Sequence, residues 1–433
     1  MKKIKIKELV EKIEGEAELE FVFENGSIED VKIGFGFYRG IEEILRGKDP
    51  WDALVITPRV CGICNHAHLI ASVRAIEDGY KKSGCDFILS PKAEKIREFT
   101  LSCELVQNHI KWFYMTIIPQ LETLLDSKTK QNYPLKASYL SSTITKALAI
   151  FAGQWPHSSY AIPGGVTCDP TYLDLMQATT LVDEAIRFFE QVVAGMSLEE
   201  YLALESVSEL HKIKGDFGRV LHLIGSSAMA TLGQSHDRFI VCAASPLAPS
   251  GKSIATTVSN IDLRYVEESI QERSVAKAVT YKQRFYETGP LARGMVAKRA
   301  IVKSLHKRYK DGIVSRVFAR VHEVALLLNE CKKLLGEMRL DEPSCVLQSD
   351  HRCESFEGVG AVEAARGSLL HRIKAADGVI QKYDIITPTQ WNLSQNSKEE
   401  KGIAIQAMSG LRSTQEATFV FRTFDICSVC TTQ

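Results

Sequence analysis

Four cysteines stand in two C-x-x-C pairs, Cys61/Cys64 and Cys427/Cys430. A thiolate is a soft ligand that suits zinc, iron–sulfur or nickel. A C-x-x-C pair chelates because both sulfurs can converge on one side of a tight turn. Structural zinc sites usually leave about 15–20 residues between their pairs. Here the pairs lie near opposite ends of the chain, which excludes a metal-stapled local ribbon. A site joining both chain ends stays open, as do two unrelated reducible thiol pairs. The remaining cysteines, Cys85, Cys103, Cys168, Cys242, Cys331, Cys345 and Cys353, stand alone and read as buried inert thiols. The N-terminus, MKKIKIKELVEKIEGE, does not read as a secretory signal. Disulfides are therefore not expected.

The flanks narrow the choice. The first pair stands in Arg59-Val-Cys61-Gly-Ile-Cys64-Asn-His-Ala-His68, the second in Asp425-Ile-Cys427-Ser-Val-Cys430-Thr-Thr-Gln433. These segments resemble the R-x-C-G-x-C-x-x-x-H and D-P-C-x-x-C-x-x-H signatures of nickel–iron hydrogenase large subunits. Further stretches look like the same family in the same order: Ile13-Glu14-Gly15, Arg39-Gly-Ile-Glu42, Pro156-His157 with Pro163-Gly-Gly-Val, Gly289-Pro-Leu-Ala-Arg293, Ala365-Arg366-Gly367 and Pro388-Thr389-Gln-Trp391-Asn392. The resemblance spans the whole chain. It departs from the family at Ile426 for proline, Glu16 for histidine, Gln433 for the final histidine, and Asn108 where many members have aspartate.

The resemblance implies a buried nickel–iron centre whose iron carries one carbon monoxide and two cyanides. By similarity, Cys61 and Cys427 are terminal on nickel, and Cys64 and Cys430 bridge the metals. Four thiolates and two cyanides against two divalent metals leave a charge of about minus two, which a dry pocket must offset. Arg366 is the expected counter-charge and donor to one cyanide, and Pro388-Thr389 is expected to serve the other. His68 is expected to donate to a bridging thiolate, while His66 reads as structural. Asp425 and Asn108 belong to the surroundings of the centre. Glu14 is expected to take the proton from a terminal cysteine. Glu42, the Ile385 carbonyl and Gln433 are expected around magnesium, a hard cation that suits oxygen ligands. The tail is expected to be buried, with Gln433 near Glu42.

The implied activity is reversible heterolytic cleavage of H2 into protons and electrons. The electrons would reach an acceptor through an iron–sulfur small subunit, and an oligomer of such heterodimers is expected. A hydrogen sensor with slow turnover is the alternative within the family. A non-catalytic scaffold related to the quinone-site subunit of complex I is the alternative outside it, and the retained cysteine pairs argue against that.

The elements that must position these residues are legible in part. The chain has 433 residues, 45% hydrophobic and 24% charged, ordinary for a globular protein. Its 53 basic and 53 acidic residues cancel, which argues against a nucleic-acid binder. No window is apolar enough for a transmembrane segment, and a cytoplasmic location, or a peripheral one on the cytoplasmic membrane, is expected. The fold class is α+β, predominantly α-helical: a central bundle of long helices, a small N-terminal antiparallel sheet and peripheral strands. One domain over 1–433 is expected, with a β region at 1–50, a helical body at 51–340 and a mixed region at 341–433 completing the site. Alternation from Ala17 to Phe23, Asn25-Gly26, and Ile28, Val31 and Ile33 predict a hairpin. Ser90-Pro91 predicts a helix running to about Leu125, and Asp169-Pro170 one to about Leu204. Further helices are predicted at 262–286 and 311–338, and an extended segment at 417–424. Residues 155–165 read as an ordered loop.

Overall fold

The computed structural model describes residues 2–11, 15–36, 38–85, 88–126, 131–271, 274–346 and 353–430. Glu14 and Gln433, both expected at the site, lie outside the described residues. About half of the structure is helical, joined by small antiparallel sheets.

Strands β1 (Lys2–Glu11), β2 (Gly15–Glu24) and β3 (Ser27–Gly34) pair antiparallel in sequence order. Asn25 and Gly26 both take positive φ between the paired Glu24 and Ser27, the geometry a two-residue hairpin turn needs. Leu19, Phe21, Ile28, Val31 and Ile33 are buried, as period-two patterning requires. The free edge of β3 is tied to the far end of the chain: Ile28 N–H donates to the Leu411 carbonyl at 2.7 Å and Gly410 N–H to that of Ile28 at 2.8 Å. The two chain ends therefore meet, which two distant cysteine pairs need if they are to share a site.

After α1 (Ile41–Leu45), long helices form the interior: α2 (Asn65–Lys82), α3 (Pro91–Lys111), α4 (Tyr133–Ala152), α5 (Tyr172–Phe188) and α6 (Ile313–Gly336). Ser90 caps α3 by accepting from Ala93 N–H, with Pro91 in the first turn. The helical path continues through a π turn at Trp112–Ile117 to Leu124. In α6, Val317, Val321, Val324 and Leu328 are fully buried at helical spacing. The start of α5 differs from expectation. Thr171, not Asp169, is the cap, in a reciprocal box with Asp174.

Two predicted elements are corrected. Residues 262–286 hold no long helix; Val266–Gln271 (β4) and Ser274–Tyr281 (β5) form an antiparallel hairpin. The charged residues there suggest a solvated helix, yet β-branched and aromatic Val279 and Tyr281 are buried in a satellite core with Trp391. Conversely, 417–424 is not extended. It forms α8 (Thr414–Thr423), capped by Ser413. Ala417, Thr418, Phe419, Val420 and Phe421 are all buried, and a helix buried on every side loses the periodicity that distinguishes it from a strand.

A three-stranded meander, β6 (Phe356–Ala364), β7 (Gly367–Ala376) and β8 (Val379–Ile386), packs on α2. It leads into α7 (Pro388–Leu393). Gly358 and Gly360 make this approach close: a Cβ on Gly360 would collide with the Ala71 carbonyl oxygen, and one on Gly358 with that of Ala75. Because α2 begins at Cys64, this packing also sets the site. Gly360→Ala is expected to destabilise the protein by about 1–3 kcal/mol through overpacking, measured by chemical denaturation, while an exposed control such as Gly336→Ala should not. Cys85 and Cys353 form a disulfide joining the end of α2 to the start of β6. This corrects the reading of both as free thiols; single-residue spacing carries no sign of such a pairing.

Candidate metal centre

The four paired cysteines converge. Cys61 Sγ lies 3.6 Å from Cys427 Sγ, Cys64 Sγ 3.5 Å from Cys430 Sγ, and Cys427 Sγ 2.9 Å from Cys430 Sγ. All four ligand atoms lie within 4.8 Å of one another, and all are buried. Local structure explains each placement. Cys61 is extended at the end of a 3₁₀ turn over Thr57–Val60, and Cys64 is the N-cap of α2. Arg39 donates to the carbonyls of Arg59 and Val60, holding the chain that enters the first pair. After α8, Asp425 turns the chain with φ of 56°. A 3₁₀ turn at Ser428–Cys430 then returns the second pair. Residues 431–433 lie outside the described residues.

Crowding splits the thiols electrostatically. Hydrogen bonding from Cys427, Cys430 and Cys64 holds Cys61 well below the usual thiol range, with Arg366 adding to the effect. Cys64 is pushed well above that range by its thiol neighbours, Cys427 foremost, and Cys427 by burial. One thiolate is favoured alone; ionising all four calls for a cation among them.

A small cavity adjoins Cys64 and Cys430, lined also by His68, Arg366, Pro388 and Thr389. Thr389 Oγ1 is buried without a hydrogen-bond partner among the described residues. Buried hydroxyls are nearly always paired, so the cavity wall offers a donor ready for a small acceptor. This donor set fits a metal carrying diatomic ligands. Thr389→Val is accordingly expected to leave the metal-free protein equally or more stable, while it weakens the metal-loaded form by about 1 kcal/mol. Denaturation of both forms measures the difference.

Arg366 pairs with Asp425 at 3.1 Å and donates to Asn108 Oδ1 at 3.4 Å. Asn108 Nδ2 donates in turn to the Ile63 carbonyl, between the first two cysteines. Asp425 also accepts from Arg320 at 2.7 Å. One carboxylate thus holds two guanidiniums beside the thiolates. Arg320 is missed by the sequence reading. The available signal is the row of Arg316, Arg320 and Glu323 at helical spacing within the buried part of α6.

His68 lines the cavity, and its Nδ1 lies 3.0 Å from His371 Nε2. His371 is itself held by Ser72 and Tyr383. Burial lowers the His68 pKa to about 4, so it is a neutral imidazole. His371, which nothing in the sequence marks, orients it. Glu42 and Ile385 come together, but through the amide: Ile385 N–H donates to Glu42 Oε1 at 2.6 Å. Lys277, also missed, contacts the same oxygen at 2.6 Å and Glu268 at 2.8 Å. Glu104, likewise unmarked, accepts from the His66 and Ala67 amides and closes the N-terminus of α2.

Convergent cysteines from both chain ends, beside a cavity with poised donors, define a thiolate metalloprotein. A family model described as nickel-dependent hydrogenase matches residues 39–118 and 244–433. The chain is 26% identical to the periplasmic [NiFeSe] hydrogenase large subunit of Desulfomicrobium baculatum, covering 92% of this chain and 88% of that one. It is also 26% identical to sulfhydrogenase 2 subunit alpha of Pyrococcus furiosus, covering 97% and 96%. In fold it resembles the Ni-Fe-Se hydrogenase from D. vulgaris Hildenborough, with a TM-score of 0.84, 23% identity and 100% of each chain covered. The chain belongs to the nickel-dependent hydrogenases, oxidoreductases acting on H2, and is of the large-subunit type.

Proposed function

We propose that this chain is the catalytic subunit of a nickel–iron hydrogenase, cleaving H2 reversibly and heterolytically. The observation that carries this reading is the meeting of four buried sulfurs beside a cavity bearing Arg366 and the unpartnered Thr389 hydroxyl. Cys61 and Cys427 would hold nickel, and Cys64 and Cys430 would bridge nickel to iron. Arg366, Pro388 and Thr389 would face iron-bound carbon monoxide and cyanides. When bound, this group supplies the Lewis-acid and redox chemistry that polarises H2 and accepts its electrons.

The chain's own residues do the rest. Asp425, shared with Arg320, orients Arg366 and keeps its charge facing the centre. Neutral His68, fixed by His371, lines the cavity. Glu14 would carry the proton away from a terminal cysteine. Electrons need an acceptor outside this chain, and an iron–sulfur small subunit is the proposed partner. Gly62 is exposed and Ile63 half-buried, so the turn between the first two ligands reaches the surface. Magnesium at Glu42, with the Ile385 carbonyl and Gln433, is proposed as well. Lys277 bridges Glu42 and Glu268 there, so one carboxylate would pass from the ammonium to the metal. No described helix is long and apolar enough to cross a membrane; a cytoplasmic heterodimer that assembles further is the proposed form.

The test is purification with the partner subunit, metal analysis and H2/D+ exchange. Nickel, with iron beyond that of the partner's clusters, and H2-dependent exchange support the reading, and zinc alone would overturn it. Slow turnover with the centre intact would favour the sensor.

A further inference from the structure

Behind His68, side chains from three elements form a line of hydrogen bonds whose direction follows from counting hydrogens. Thr57 Oγ1 lies 2.8 Å from the Ala53 carbonyl oxygen and 2.7 Å from Ser72 Oγ. The Tyr383 hydroxyl lies 2.8 Å from Ser72 Oγ and 2.8 Å from His371 Nδ1, and Ser72 Oγ lies 3.1 Å from that same nitrogen. His371 Nε2 lies 3.0 Å from His68 Nδ1. Thr57, His68, Ser72, His371 and Tyr383 are all buried, so bulk solvent does not compete for their hydrogens.

A carbonyl has no hydrogen to give, and each hydroxyl has one. The contact at Ala53 is therefore filled by the hydrogen of Thr57. Ser72 then fills the 2.7 Å contact by donating to Thr57. With the Ser72 hydrogen spent, only Tyr383 can fill the contact between their two oxygens. Tyr383 is then spent as well, and the hydrogen between it and His371 has to come from Nδ1. Burial raises the Tyr383 pKa, so the hydroxyl keeps its hydrogen. Burial also holds both imidazoles neutral, His371 well below its usual range and His68 at about 4. A neutral ring with its hydrogen on Nδ1 has a bare Nε2. His371 accordingly accepts from His68, and every contact is filled once. Any other order leaves two buried oxygens under 3 Å apart with no hydrogen between them, a costly arrangement.

We propose that Thr57, Ser72, Tyr383 and His371 form a hydrogen-ordered chain, anchored on the Ala53 carbonyl, that fixes the hydrogen of His68 on Nδ1 and leaves its Nε2 an acceptor. These four are positioning residues. His68 lines the cavity with Cys64 and Cys430. The order of the chain goes beyond the nickel–iron reading, and its bearing on the centre rests on that reading. It reverses the donation to a bridging thiolate that the resemblance implies. His68 would instead take a hydrogen bond from a small O–H or N–H donor, such as a water.

A neutron crystal structure of the perdeuterated complex reads the order atom by atom. Deuterium is expected on Nδ1 of His68 and of His371, and on Nε2 of neither. Deuterium on His68 Nε2 overturns the proposal. The ring hydrogens can be read whatever metal the site holds. Absence of metal-bound carbonyl and cyanide bands therefore removes the nickel–iron reading and leaves this test intact. Two variants separate ordering from packing. Ser72→Ala takes away the acceptor for Tyr383, whose hydroxyl then donates to His371 Nδ1. Both rings should switch, with the His68 hydrogen now on Nε2. Tyr383→Phe leaves Ser72 to accept from His371 Nδ1 and should keep the order. Nitrogen-15 spectra of histidine-labelled complex read both variants. With the bands present, the carbonyl and cyanide frequencies should move in Ser72→Ala and hold in Tyr383→Phe. Rings that do not switch in folded Ser72→Ala, or bands that move equally in both variants, overturn the proposal as well.

Discussion

Serine at any one of Cys61, Cys64, Cys427 or Cys430 is expected to reduce nickel and iron to background, or to leave an inactive centre. An alcohol at neutral pH remains protonated and hard, whereas these metals favour soft anionic sulfur. Each sulfur also touches another of the set, from 2.9 Å to 3.6 Å, so no neighbouring cysteine is placed to substitute. Cys103 and Cys331 are closest to each other at 4.0 Å, on α3 and α6, outside the cluster. Cys331→Ser should therefore leave the metal content unchanged. Elemental analysis of the five variants checks both halves of the prediction. Full activity in any of the four ligand variants would remove the assignment of that cysteine. Removing Cys430–Gln433 should have the same outcome as the worst substitution, because Cys427 and Cys430 are buried where the chain ends meet.

Glu14→Gln should keep the metals and lose the proton transfer. The amide preserves shape and hydrogen bonding but cannot carry a proton. A relay of this kind contributes about 10²–10⁴-fold, and H2/D+ exchange should fall by that order. The ratio of exchange to metal content is the measure that separates this from misassembly. Normal exchange in a fully metallated variant would take Glu14 out of the pathway.

What the sequence discloses depends on whether a signal is local. The hairpin at Asn25-Gly26 and the Ser90-Pro91 cap are written in adjacent residues, and both form where expected. The 414–423 helix is misread because burial on every side erases its period. The 266–281 hairpin is misread because its charged residues resemble a solvated helix face. The cysteine pairs are legible through their flanks, though only the fold shows their sulfurs meeting. Arg320, His371, Lys277 and Glu104 carry no motif. Each matters through a partner hundreds or tens of positions away: Asp425, His68, Glu42 and the amide of His66. Such residues become visible only when tertiary contacts are in hand.

The central claim is that the four sulfurs hold nickel and an iron bearing diatomic ligands. Infrared spectroscopy of the purified complex tests it most directly, because protein groups absorb little in the region where metal-bound carbonyl and cyanide stretch. One carbonyl and two cyanide bands are predicted, with the cyanide bands moving in Thr389→Val and all bands absent or shifted in the cysteine variants. A metal-loaded, folded protein with no band in that region would contradict the account.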